Sequence, residues 1–256
     1  MRQENMILVS NRKLTADVHE LILQGNLAKD VPQPGQFVDL KVPRADLLLR
    51  RPISIASVDN DTITLVIRAS GEGTKALCAR HIGETMDVLG PLGHGFPIDF
   101  LKTDQTALLI GGGIGIPPLL QLAKELHDQR VKVTIVLGFQ TKAALFYHDE
   151  FERYGTVLIA TDDGSFQTQG TVETVLDQQL KDLSADAVYA CGPKGLNRMV
   201  ITRYKHHPHA YVSLEERMAC GIGACAACVC QKDNDPIHNL KVCEDGPVFR
   251  TSEVSL

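Results

Sequence analysis

The chain has 256 residues, a formal net charge of -5, 22% charged residues and 44% hydrophobic content. Domains cluster near about 100 to 150 residues, so this length implies at least two cores. The composition excludes a disordered chain, and the absence of a basic excess argues against nucleic acid as a partner.

The N-terminal MRQENMILVSNRK holds no apolar core of signal-peptide length. No run approaches the roughly 18 to 20 apolar residues that span a bilayer. A cytoplasmic protein without membrane contact is expected. Residues 1 to 99 then alternate apolar and polar positions in short bursts at 18–24, 35–42, 51–57, 62–70 and 84–90. In TITLVIR, Ile63, Leu65 and Ile67 share one face while Thr62, Thr64 and Arg68 share the other, the period-two pattern of a half-buried strand. Five or six such strands, with a helical interruption near Thr74 to Arg80, predict a small antiparallel barrel.

From about Gln105 the pattern changes. QTALLI reads as a strand, GGGIGIPP as a loop, and Leu119, Leu122, Ala123 and Leu126 recur at helical spacing. Strands at 132–139, 156–160 and 186–191 alternate with helices at 143–153, 172–182 and 194–204, which predicts a parallel sheet covered on both faces. This α/β nucleotide-binding domain is expected over 100–214, after a barrel domain over 1–99. The last segment, 215–256, has few large apolar residues and needs a metal or a cross-link to fold.

That segment carries MACGIGACAACVC. Its spacing, Cys220-x4-Cys225-x2-Cys228 with a distant Cys243, is the plant-type pattern for a [2Fe-2S] cluster. Four thiolates must converge on two bridged irons, and Gly221, Gly223, Ala224, Ala226 and Ala227 let the loop wrap closely. Zinc is the other four-thiolate reading, although zinc ligands usually come as two close pairs. Seven cysteines, with Cys78 and Cys191 isolated, do not suit a secreted disulfide framework. Cys230 reads as a packed neighbour of the cluster.

Two further stretches suit dinucleotides. RPISIAS places Arg50 and Arg51 beside Pro52 and Ser54, where a guanidinium fork fits a pyrophosphate and the hydroxyl a flavin ring edge. Arg68 and the turn GEGT lie further along; taken singly, each also fits a solvated arginine or a capped turn. GGGIGIPP, between a strand and a helix, lets backbone approach a pyrophosphate, and Cys191-Gly192-Pro193 ends a later strand at the same sheet edge. Gly111, Gly112, Gly113, Gly115 and Cys191 are therefore expected at the nicotinamide cofactor, with Cys191 equally readable as a small buried apolar group. No arginine follows the second α/β strand at GFQTKAAL to hold a 2'-phosphate, which favours NADH, although Lys142 stands nearby.

The order of parts resembles the ferredoxin-reductase superfamily, and within it the electron-transfer subunits of bacterial dihydroorotate dehydrogenase B. MACGIGACAACVC and VCEDGPVF are the most specific portion of the match. The resemblance implies FAD held by Arg51, Pro52, Ile53 and Ser54, by Ile67, Arg68 and Ala69, and by Gly73 and Thr74. It implies a [2Fe-2S] cluster on Cys220, Cys225, Cys228 and Cys243, while Gly192 and Pro193 are expected beside the nicotinamide contacts read above from the residues. It further implies an FMN-containing catalytic subunit that oxidises dihydroorotate in pyrimidine (UMP) biosynthesis, in a heterotetramer with two copies of each subunit. Electrons pass between NAD(H) and that partner through FAD and the cluster, and no side chain need act as acid or base. The alternatives are the small subunit of another flavin and iron-sulfur complex, such as a ferredoxin:NADP reductase or sulfide dehydrogenase, and a zinc-stabilised flavin-binding module without turnover.

Overall fold

A computed structural model of the chain describes residues 1–233, 235 and 237–256. Six antiparallel strands close a barrel in the spatial order β1 (Arg2–Lys13), β2 (Val18–Gln24), β5 (Thr62–Arg68), β4 (Arg51–Asp59), β3 (Phe37–Leu40) and β6 (Thr85–Leu92). The alternation read from TITLVIR is realised: Ile63, Leu65 and Ile67 point inward and pack with Met6, Leu8, Leu21, Leu23 and Val88. Helix α1 (Glu72–Cys78) covers one end of this core with Leu77 and Cys78. The Thr74 hydroxyl bonds the backbone of Gly71 and fixes the helix start.

β1 is a strand that the period-two pattern did not reveal. Met6 and Leu8 are fully buried, but Ile7 and Val9 between them face outward and are apolar too. The run therefore reads as continuous rather than alternating.

The second unit is a seven-stranded sheet. β7 (Thr106–Gly112) lies between β8 (Lys132–Phe139) and β11 (Ala187–Cys191); beyond β8 come β9 (Thr156–Thr161) and β10 (Thr168–Gln169), and beyond β11 comes β12 (Ala210–Ser213). These six strands run parallel. Leu109, Ile135, Leu137 and Tyr189 pack on one face with α2 (Pro118–Asp128), while Leu108, Ile110, Val136 and Val188 pack on the other with α4 (Val172–Gln178) and α5 (Lys194–Arg203). Burial on both faces explains why these strands are nearly continuous in apolar residues.

The helix expected over 143–153 is broken. A single turn at Lys142–Ala144 is followed by α3 (His148–Glu152), entered through Tyr147 in the left-handed region, φ 65°. The Tyr147 ring is buried and its hydroxyl donates to Glu20 Oε2 of the barrel at 2.6 Å. Tertiary contact with the first domain thus overrides local helix propensity. Gln121 Oε1 accepts from Val58 N, and the Tyr189 hydroxyl donates to Pro97 O, so the barrel and the sheet are joined at three separated points.

The cysteine-bearing segment forms a three-stranded sheet from β14 (Asn239–Lys241), β13 (Val229–Lys232) and β16 (Val254–Ser255). Between β14 and β16, β15 (Val248–Arg250) leaves this sheet and pairs antiparallel with β12 as the seventh strand of the large sheet. Residues 215–256 are therefore bound structurally to the α/β unit: Phe249, Val242, Cys228 and Cys243 share a core with Val200 and Ile201 of α5. Among the described residues, no helix is long and apolar enough to cross a membrane.

Candidate functional site

Strand order reverses at β7, where β8 lies on one side and β11 on the other, and ligands of open α/β sheets bind outside the carboxyl ends at such a switch point. The structure has a cavity of about 430 Å³ there, lined by Gly112 and Gly113 at the end of β7, Gly138, Phe139 and Gln140 at the end of β8, Asp162 after β9, and Pro193 and Leu196 after β11. Gly111, Gly115, Cys191 and Gly192 are not part of its lining. A Cβ on Gly115 would stand 2.6 Å from the Gly192 Cα, so the two loops meet backbone to backbone. Cys191 is 1% exposed, and burial, reinforced by the charge of Glu215, pushes its thiol strongly upward. It is a packed neutral thiol, not a wall residue of either cavity described here.

A second cavity of about 410 Å³ opens between the barrel and the sheet. Pro52, Ile53 and Ser54 of β4 and Ile67 and Arg68 of β5 form its barrel side, with Thr74 at one end. Ile114 and Pro117, from the GGGIGIPP loop, form the opposite side. Both volumes fall within the range of cofactor pockets, about 300 to 1,000 Å³. Arg51 and Gly73 flank the barrel side. The Arg51 guanidinium lies where a Gly73 side chain would stand and donates to Leu49 O at 2.7 Å, while Ala69 is held by its N–H to Asp17 O. Arg50 serves the barrel, donating to the Asp39 and Asp87 carbonyls and to the Asp87 carboxylate.

The two cavities share Arg68. The GGGIGIPP loop also separates them, with Gly112 and Gly113 on the first and Ile114 and Pro117 on the second. A flexible glycine run is needed at this septum: Gly113 has φ +52°, and a Cβ there would come within 3.7 Å of the Arg68 guanidinium.

Residues after β12 complete the second cavity. Leu214, Glu215, Glu216 and Met218 line it, and Met218 stands two residues before Cys220. Glu215 is solvent-exposed, yet the surrounding protein desolvates its carboxyl and raises its pKa, with Arg68 opposing. Sequence reasoning missed these residues, because they follow a short strand in a segment with no periodic signal. Asp162, just after the third α/β strand, was likewise not singled out from the sequence, which was searched for a 2'-phosphate contact after the second.

The four cysteines of the C-terminal pattern converge. Cys228 and Cys243 are buried with their sulfurs 3.2 Å apart, and Gly223 N–H donates to Cys243 Sγ at 3.2 Å. Cys225 N–H points at Cys220 Sγ at 3.4 Å. The Cys220 thiol is lowered to about 7 by the backbone N–H of Ile222 first and those of Cys225 and Ala224 after it, against burial. Burial, then the bond with Cys228, pushes Cys243 up to about 12. Gly221 and Gly223 have φ of +68° and +79°, which turns the loop's N–H groups inward. None of the seven cysteines is joined in a disulfide. Convergent sulfurs cradled by backbone donors fit a four-thiolate metal cluster, whose potential such hydrogen bonds tune. Cys230 lies apart on β13 opposite Leu240, its thiol pushed to about 11 by burial.

A barrel, a parallel sheet, two abutting cofactor cavities and a four-thiolate loop define a flavin-dependent, NAD-linked reductase with an iron-sulfur module. Residues 215–255 match the family model of the iron-sulfur cluster binding domain of dihydroorotate dehydrogenase B, and residues 109–202 match that of the oxidoreductase NAD-binding domain. A curated relative from Enterococcus faecalis, the dihydroorotate dehydrogenase B (NAD(+)) electron transfer subunit, is 50% identical over 260 residues, covering 100% of this chain and 99% of its own. The protein of the same name from Geobacillus kaustophilus is 49% identical over 99% of both chains. Among solved structures, one reported for the NADH-dependent reduced ferredoxin-NADP oxidoreductase aligns with a TM-score of 0.87 at 29% identity, over 98% of this chain and 90% of that one. The chain belongs to the family of dihydroorotate dehydrogenase B (NAD(+)) electron transfer subunits. Its cofactors are FAD, a [2Fe-2S] cluster and NAD(H), which removes the zinc reading and the non-catalytic module, and it works with a catalytic subunit.

Proposed function

We propose that this chain couples NAD(H) in the first cavity to FAD in the second, and FAD to a [2Fe-2S] cluster on Cys220, Cys225, Cys228 and Cys243. From there electrons are exchanged with an FMN-bearing catalytic subunit that oxidises dihydroorotate, in a cytoplasmic complex with two copies of each subunit. The working division is 1–99 for FAD, 100–214 for NAD(H) and 215–256 for the cluster. One observation carries the reading: the second cavity touches both neighbours, sharing Arg68 and the Gly112 to Pro117 loop with the first and reaching the cluster loop through Met218.

When bound, the flavin supplies exchange between hydride and single electrons, and the cluster supplies one-electron transfer. The chain's own residues position and insulate. Ile53 and Ile67 of the barrel and Ile114 of the septum give apolar walls to a flat ring, and Ser54 offers a hydroxyl. Arg51, Arg68 and the glycine loop supply donors for phosphates. Purified wild-type chain is expected to show flavin and iron-sulfur absorbance with two irons and two acid-labile sulfides, and with its catalytic subunit to reduce NAD(+) on addition of dihydroorotate. Colourless protein carrying a single zinc would sink the reading.

The first cavity also sets the choice of dinucleotide. Asp162 and Glu173 are its acidic residues and Arg68 its cation, so a 2'-phosphate near Asp162 meets like charge, whereas a ribose hydroxyl can donate to the carboxylate. Close like-charge pairs cost several kcal/mol, and about 1.4 kcal/mol is already tenfold. Asp162→Ser is expected to raise kcat/KM for NADPH relative to NADH by about tenfold or more. Steady-state flavin reduction with both cofactors measures this, and an unchanged ratio would place the ribose elsewhere.

A further inference from the structure

Asp39 is a buried carboxylate on the barrel. It is 2% exposed on β3 between the apolar Val38 and Leu40, and its Oδ1 has no hydrogen-bond partner. Arg50 bonds the Asp39 backbone carbonyl and the Asp87 side chain. Desolvation pushes Asp39 up to about 6, with Arg50 and Arg51 opposing. A charged group left buried without full hydrogen bonding is costly, and such groups in native folds call for an explanation.

Its surroundings supply one. Phe37 and Asp39 are two apart on β3 and so share a face. Phe37 lines the flavin cavity, and Asp39 pairs across β4 with Pro52, another residue of that cavity. The Asp39 carboxylate meanwhile fills the space that a side chain on Gly221 would need. Gly221 directly follows Cys220 and holds its left-handed turn, φ +68°. One face of one strand therefore abuts the flavin cavity at Phe37 and the cluster loop at Asp39.

We propose that Asp39 is a positioning and potential-setting residue for the cluster: its carboxylate buttresses the turn at Gly221, and its fixed negative charge holds the cluster's reduction potential down. The proposal rests on the cluster reading of the four cysteines given above. Reduction adds one negative charge to the cluster, and a carboxylate in the adjoining low-dielectric contact opposes that addition with little screening by solvent. Any side chain at residue 221 would displace the carboxylate, so the glycine and the acid form one device.

The test uses the complex with the catalytic subunit, carrying Asp39→Asn or Asp39→Glu, with iron and sulfide analysis, potentiometric EPR of the cluster and absorbance titration of the flavin. Asp39→Asn is expected to raise the cluster potential so that the reduced-to-oxidised ratio at fixed potential grows about tenfold, equivalent to about 59 mV for a one-electron couple. The flavin potential should move less, and Asp39→Glu should stay near the native value. If Asn strips iron and sulfide while Glu retains them, the buttressing role is supported. A fully loaded Asn variant with an unmoved potential overturns the proposal, as does a Glu variant that shifts or empties as Asn does. Native protein without iron and sulfide would instead overturn the cluster assignment itself.

Discussion

Cys225→Ser is expected to cut electron delivery to the catalytic subunit by more than about 100-fold while NADH still reduces the flavin at near-native rate. Losing even a supporting partner of a metal ligand costs 10- to 100-fold in affinity, and here a ligand itself is replaced by a hydroxyl that stays protonated at neutral pH. The selectivity follows from the architecture. Arg68 and the septum loop between the two cavities contain no residue of 215–256. The segment also remains tied to the large sheet by β15, whose Val248 and Phe249 are buried independently of the thiolates. Anaerobic stopped-flow mixing with NADH reads the first half-reaction, and dihydroorotate-dependent NAD(+) reduction by the complex reads the whole. Loss of both halves in a variant that keeps its FAD would contradict the wiring.

Much of this site was legible because chemistry forced a local signature. The four proposed cluster ligands come mostly from nine residues, Cys220 to Cys228, so their spacing is visible without the fold. The flavin side was half legible: Pro52, Ile53, Ser54, Ile67, Arg68 and Thr74 do line one cavity, since β4 and β5 are neighbours and their breakers are strong. What could not be read is what other elements bring in. Glu215 and Met218 enter the cavity because β12 ends beside β11, a topological fact with no trace in their local sequence. β15 is three residues long, too short for any periodicity, and becomes a strand because β12 offers an open edge. Asp162 was open to reading: TVLIATDD ends a recognisable strand in an acid. The ribose position proposed for Asp162 lies one strand after GFQTKAAL, where the sequence reading looked for a 2'-phosphate contact. Asp39 carries no signal of its own in the burst at 35–42, and its contact with Gly221 joins residues far apart in the chain.

Gly115→Ala is expected to raise KM for NADH by about tenfold or more and to lower the thermal unfolding midpoint, although alanine suits most backbones better than glycine. The added methyl would lie 2.6 Å from both N and Cα of Gly192 and 2.7 Å from the Cys191 carbonyl carbon. These are backbone atoms at the end of a central strand, so no side chain can swing aside, and overpacking of this kind costs about 1 to 3 kcal/mol. Relief must come from separating the β7–α2 loop from the β11–α5 loop. Gly112 and Gly113 at the first junction and Pro193 and Leu196 at the second line the cavity proposed for NAD(H), so its opposing walls move apart together. The flavin cavity takes Ile114 and Pro117 from the same loop but the rest of its lining from the barrel and the segment after β12, and FAD content should fall much less than NADH affinity. Gly195 provides the contrast: a Cβ there meets nothing within 4 Å, and Gly195→Ala should not lower the midpoint. NADH titration of flavin reduction and calorimetry on both variants decide the matter. A Gly115→Ala protein with native KM would show that the loops can part without disturbing the cavity, and that backbone contact at Gly115 and Gly192 does not shape the nicotinamide site.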